Sequence, residues 1–157
     1  MEQKRAQIQD YLERWGMVFE QLGGARMMGK VLAWLLICDP PEQTAREIAD
    51  AVGASAGSVS TTTRGLVNAF MIERIGKPGH RSAYFRVRPG MWVALLKRRM
   101  AVGRVMGQLA AEGQHLVGAG QEPLRLKEIE SYCNYIESKL PAFIEKWERE
   151  WEEEKSP

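Results

Sequence analysis

Few side chains in this sequence are equipped for covalent or metal chemistry. Its 157 residues include two histidines and two cysteines. His80 and His115 stand apart, and neither belongs to a cluster that could serve as a metal site or a catalytic triad. No Walker-type glycine loop offers a nucleotide site. An enzyme, a metal centre and a bound cofactor are therefore all disfavoured. The dense chemistry is hydroxylic. Residues 53–66 read GASAGSVSTTTRGL, and Ser55, Ser58, Ser60, Thr61, Thr62 and Thr63 crowd into nine positions. Such side chains exchange hydrogen bonds with phosphate oxygens, base edges and peptide groups.

Ser and Thr are poor helix formers, because their hydroxyls compete for the backbone and Thr is stiff at χ1. Yet Val59, Thr63, Leu66 and Phe70 recur at i, i+4, i+7 and i+11, which predicts a helix from an N-cap at Ser55 to about Phe70. With that stripe inward, Gly57, Ser58, Ser60, Thr61 and Arg64 face outward. Short side chains with one long cation suit a helix whose backbone must approach the major groove of duplex DNA. There Arg64 can pair with guanine or with a phosphate, and a Thr methyl can touch thymine.

The flanking residues supply the elements that would hold this face in place. Thr44-Ala-Arg-Glu47 has the capping-box pattern and opens a short helix to about Val52, where Gly53 stops it. Two short helices around Gly53-Ala54-Ser55 make a helix-turn-helix, with Ala49 at the close approach and Ile48, Val52, Val59 and Leu66 as shared core. Next, Ile72–Ile75 and Ala83–Arg88 have strand character around the turn Lys77-Pro-Gly-His80. A hairpin in that place is a wing. Lys77, His80 and Arg81 on the wing, and Thr44 beside it, complete the candidate DNA-binding set; His80 would add attraction to phosphate once protonated.

Helices frame this module. Ile8, Tyr11, Leu12, Trp15, Val18, Phe19 and Leu22 share one face, ended by Gly23-Gly24, and a second helix covers about Ala25–Cys38 before Asp39-Pro40-Pro41. Downstream, a long helix over about Gly90–Leu116, broken by Gly118-Ala-Gly120, carries Gly103 and Gly107, helix-packing glycines at most. The last helix repeats Leu126, Ile129, Cys133, Ile136, Leu140, Phe143 and Trp147 as a heptad seam, with a kink or fresh start expected at Pro141. Long amphipathic ends with little core to cover them predict a homodimer. The chain is thus expected to be mostly α with a small β-wing: N-terminal helices at 1–38, a winged helix-turn-helix at 39–89, and C-terminal dimerisation helices at 90–157.

Charge agrees with this division. The net charge of +2 conceals a balance of +8 over residues 44–104, against −1 before it and −5 after it. A basic middle between acidic flanks fits a polyanion-binding module. The longest apolar run, Val31–Cys38, is too short for a bilayer, and the first residues lack the apolar core of a secretory signal. Cys38 and Cys133 lie in apolar stripes, as buried thiols of a reducing compartment would, so a cytoplasmic protein without membrane partners is expected.

The stretch IADAVGASAGSVSTTTRGLVNAFMIERIGKPGHRSAYFRV resembles the winged helix-turn-helix of MarR-type transcriptional regulators. The preceding QLGGARMMGKVLAWLLICDPPEQTAREIA resembles their GbsR-like branch. The resemblance implies an obligate dimer on an imperfect DNA palindrome, acting as a repressor and released by a small molecule. Tyr11, Trp15, Trp34, Trp92 and Tyr132 could line an effector pocket where dimer helices meet the winged domain; core packing is the competing role for each. In one respect the sequence departs from the pattern. Many wings of this type carry an acid two positions before the wing arginine, and Gly79 stands there ahead of Arg81. The rival to a DNA-binding role is a winged-helix module that binds protein. It predicts an apolar or acidic recognition face, yet no Asp or Glu occurs from Ala51 to Ile72.

Overall fold

The computed structural model describes residues 2–118 and 123–155. They divide into two compact units, Met1–Trp92 and Val93–Pro157. In the first unit, two glycines decide how α1 (Glu2–Gln21) meets α2 (Arg26–Ile37). A Cβ on Gly29 would fall on the Trp15 carbonyl and lie 2.9 Å from the Gly16 Cα. The helices therefore touch backbone to backbone, and Leu12, Phe19, Val31, Leu32 and Leu35 close over the crossing. This rotates the expected stripe of α1. Gly16 joins Leu12 and Phe19 on the buried side, while Val18 and Leu22 are exposed. Gly23, at φ 78°, ends the helix, and Gly24 N–H returns to the Phe19 carbonyl at 2.8 Å. Cys38 caps the end of α2 and is only half-buried, because its apolar stripe stops one residue earlier. Burial still pushes its thiol pKa up.

The helix-turn-helix forms as its capping residues dictate. Thr44 opens α3 (Ala45–Val52) with a full capping box. Gly53 ends it in the left-handed region at φ 67°, and Ser55 Oγ accepts from Ser58 N–H to open α4 (Ala56–Asn68). Ile48, Val52, Val59 and Leu66 are fully buried, with Ala49 where the helices close. Phe70 does not complete this stripe. The helix stops at Asn68, Phe70 turns to φ 62°, and its ring lies half-exposed beneath the Arg88 guanidinium at 5.1 Å. The chain must reverse there to enter the sheet, and Ile72, fully buried, fills the apolar position instead.

The wing strands are β2 (Ile72–Gly76) and β3 (Ala83–Val87), antiparallel, with Arg74 opposite Phe85. A third strand, β1 (Gln43–Thr44), pairs with the other edge of β3 and gives the order β1-β3-β2. Two residues are too few to show an alternating pattern, so this strand is invisible in the sequence. Thr44 thus joins the sheet and caps α3 together. The Thr44 N–H and hydroxyl both donate to Glu47 Oε2, at 2.6 and 2.7 Å, and these bonds hold the Glu47 carboxyl below the usual carboxylate range, the backbone bond first. A depressed folded pKa gives stability that is complete above the unfolded value and lost as pH falls through the folded one. Glu47→Gln should therefore cost about 0.5–1 kcal/mol at pH 7. The gap to wild type should begin to narrow as pH falls through the unfolded glutamate value of about 4.3 and close once pH has passed below the lowered folded one; thermal melts across that range measure it.

In the second unit α5 (Met91–Gln114, whose first two residues belong to the first unit) and α6 (Leu124–Lys155) pack as an antiparallel hairpin. Gly113 faces Leu126 and Gly107 faces Cys133, so Gly107 is a packing glycine, whereas Gly103 meets nothing within 4 Å. Arg104 pairs with Glu137 at 2.6 Å and Lys97 with Glu148 at 3.9 Å. The heptad seam is consequently divided. Leu126 and Cys133 serve this hairpin, while Ile129, Phe143 and Trp147 are exposed. Pro141 does not break α6, which runs through it as one helix. One missing N–H costs about 3 kcal/mol, which the remaining turns of a long helix can carry. Of the expected break at 118–120, residues 119 and 120 lie outside the described ones. Among the described residues no helix is long and apolar enough to cross a membrane.

Candidate nucleic-acid interface

The solvent face of α4 is built almost entirely of short side chains. Ser55, Gly57, Ser60, Thr61 and Arg64 are exposed, and Ser58 is half-buried. Thr62 and Thr63 turn into the core, where Thr63 Oγ1 donates to the Ser60 carbonyl at 3.2 Å. Gly57 has open space around it, so the helix surface is lowest there.

Beside this face lies an open concavity of about 720 Å³, walled by the start of α3, by α4 and by the sheet. Arg46, Arg64 and Arg74 line it together with Ser60 and Ser82, and Phe85 lies among them. Among the described residues no Asp or Glu lines it. Arg46, Arg64, Arg74 and Arg81 are exposed and make no ion pair among the described residues. Unneutralised guanidiniums on one side of a small module create a field that attracts polyanions.

The other cations of the wing are already engaged. Lys77 Nζ sits 2.8 Å from Glu42 Oε2 and 4.3 Å from the centre of the Tyr84 ring. Arg86 donates to Glu73 at 2.7 Å and to Glu42 at 3.3 Å. The Lys77 hydrogen bond holds the Glu42 carboxyl below its usual range, and Glu42 in turn raises Lys77; Glu73 raises Arg86. This network ties the segment before β1 to the wing and fixes the wing's tilt. At the wing turn, Gly79 has φ 78°, and His80 Nδ1 lies 2.9 Å from the Tyr84 hydroxyl. Arg81 follows in open solvent.

Comparison with known proteins bears on the family and the fold. A family model described as MmpR5-like MarR family transcriptional regulator matches residues 90–150. The chain is 35% identical over 133 residues to the HTH-type transcriptional regulator MmpR5 of Mycobacterium tuberculosis, covering 83% of this chain and 81% of that protein. The chain belongs to the MarR family of transcriptional regulators. A crystal structure described as a transcriptional regulator superposes with a TM-score of 0.79 at 32% identity, over 91% of this chain and 99% of that one. The MarR-type winged helix, mostly helical with a small antiparallel sheet, is thus the fold of the chain, and its relatives are regulators, not enzymes.

Within this MarR-family chain the aromatic candidates are dispersed. Tyr11 and Trp15 meet edge to face and line a shallow depression with Arg14 and Val18. Trp34 lines a separate one with Lys4, Arg5, Gln9 and Asp50. Trp92 is exposed, and Tyr132 is exposed on α6 of the second unit. The concavity brings together Thr44, Ser60 and Arg64 from the sequence-based set, and leaves Gly57, Thr61 and the wing turn outside it. Three of its residues escape sequence reasoning: Arg46, Arg74 and Ser82. For Arg46 a signal existed, since Ile48, Ala49 and Val52 define the inner face of α3 and leave Arg46 outward. Arg74 had none, because it shares a sheet face with buried Ile72.

Proposed function

We propose that this MarR-family regulator is a cytoplasmic, sequence-specific repressor that binds an imperfect DNA palindrome as a homodimer. The observation that carries the reading is the α4 face, small and hydroxylic, flanked by four arginines with no carboxylate partner among the described residues. α4 enters the major groove. Gly57, Ser58, Ser60 and Thr61 let the backbone approach, Ser55 donates to a flanking phosphate, Thr44 acts through the α3 cap that already engages its N–H and hydroxyl, and Arg64 reads a base edge. The wing, with Lys77, His80 and Arg81, lies along the adjacent minor groove. The GbsR-like placement rests on residues 21–49 alone. Release by a small molecule rests on the family resemblance and on the tryptophan-lined depressions, and quenching of tryptophan fluorescence by candidate effectors tests it. The main test is fluorescence anisotropy on a palindromic duplex selected from the source genome and on its scrambled counterpart. Strong preference for the first at physiological salt is expected; equal affinity overturns the reading.

The dimer is supported by apolar surface that one copy leaves bare. Val102, Val105, Met106 and Leu109 form an i, i+3, i+4, i+7 stripe on α5, and all four side chains are more than half exposed. Tyr132, Tyr135, Phe143 and Trp147 are exposed on α6. Stripes of this kind rarely remain in water. In the first unit, Val18 and Leu22 of α1 are likewise exposed. Light scattering at micromolar concentration should give twice the chain mass, and Met106→Glu with Leu109→Glu should give a monomer that retains its helical spectrum. A monomer mass for the unaltered chain would refute the dimer.

A further inference from the structure

We propose that the concavity beside α4 holds the sugar–phosphate ridge that separates the major groove from the minor groove, and that Arg46 and Arg74 grip it as positioning residues. The inference rests on the DNA-binding reading above. Two elements that enter neighbouring grooves must straddle the backbone strand between them. In this molecule the groove-entering elements are α4 and the wing, and the valley between them is the concavity. Its walls carry guanidiniums from three separate elements: Arg46 on α3, Arg64 on α4 and Arg74 on β2. Phe85 and Val67 add apolar surface, which suits deoxyribose, and Ser60 and Ser82 offer hydroxyls to phosphate oxygens. The nearby Glu47 carboxylate is engaged by the α3 cap, so it does not answer the arginines.

Arginines from different elements around one strand fix the depth and register of the whole module. They carry no base information, because every sequence presents the same phosphates. Arg46 and Arg74 therefore differ in kind from Arg64, although all three line one surface.

The test uses the full chain, a duplex that it enriches from a random pool, and a scrambled duplex. Arg74→Ala and Arg46→Ala should each weaken binding to both duplexes about tenfold. The slope of log affinity against log salt should fall in magnitude by about 0.9 for every phosphate that each copy no longer neutralises. The base-preference profile should not change. A duplex with single neutral methylphosphonates should locate the gripped phosphate: the position that weakens the wild type should cease to matter in Arg74→Ala. Arg74→Lys, which keeps the charge, should recover most of the slope, and circular dichroism should show every variant folded. Unchanged slope and unchanged methylphosphonate sensitivity in Arg74→Ala would overturn the ridge assignment, as would an altered base preference. If the wild type instead binds all duplexes alike, the regulatory reading fails, while the change in salt slope, which needs no fixed register, still decides the ridge assignment.

Discussion

Gly29→Ala should be the most damaging glycine-to-alanine change among the described residues, lowering stability by about 3 kcal/mol and the melting temperature by on the order of 10 °C. The added Cβ falls on the Trp15 carbonyl and crowds the Gly16 Cα at 2.9 Å. Both obstacles are backbone, so no rotamer change relieves them, and α1 and α2 must separate along their length. Separation opens the layer of Leu12, Val31 and Leu32, and the loosened packing adds to the steric cost. Gly16→Ala provides the control. Its Cβ meets first the Arg26 Cγ at 2.7 Å, and that side chain is exposed and can swing away. It should cost less than half as much. Calorimetry on both variants decides the matter, and an equal loss for the two would mean that the crossing is not set by Gly29.

Arg64→Ala should cost about 1–3 kcal/mol of binding and rewrite the preferred bases at one position of each half-site. Arg64 is the one long cation on the α4 face, in line with Gly57 and Thr61 along the helix. Arg81→Ala is expected to weaken binding more evenly, with the larger loss at A·T-rich flanks, because the minor groove presents a degenerate pattern and a negative field. No acid stands at Gly79 to brace Arg81, so its effect should be the smaller. Gly57→Ala completes the comparison. Its Cβ meets nothing within 4 Å, so the helix should be stabilised by up to about 1 kcal/mol while binding weakens. Base-preference profiles at one fixed salt concentration check all three. Should Arg81→Ala change the central half-site preference and Arg64→Ala leave it intact, the helix and the wing have been assigned to the wrong grooves.

The sequence by itself determined the elements whose instructions are local. Thr44 and Glu47 specify a helix start, Gly53 a stop, Ser55 a second start, and Lys77-Pro-Gly-His80 a turn. Each acts within a few residues of itself, and the structure carries all of them out. The core of the helix-turn-helix was equally open to inspection, because Ile48, Val52, Val59 and Leu66 follow helical periodicity. Phe70 kept that period and still turned outward, because the chain must reverse before β2. Only tertiary structure decided the rest. The depth of the α1–α2 crossing depends on Gly16 and Gly29, which lie on different helices. Strand β1 exists because β3 has a free edge, with nothing in Gln43-Thr44 to announce it. The seam of α6 is divided because α5 returns along one side of it. The three-arginine concavity depends on where β2 places Arg74 relative to α3 and α4. In each of these the partner lies far along the chain, and local propensity and periodicity carry no information about which distant surfaces meet.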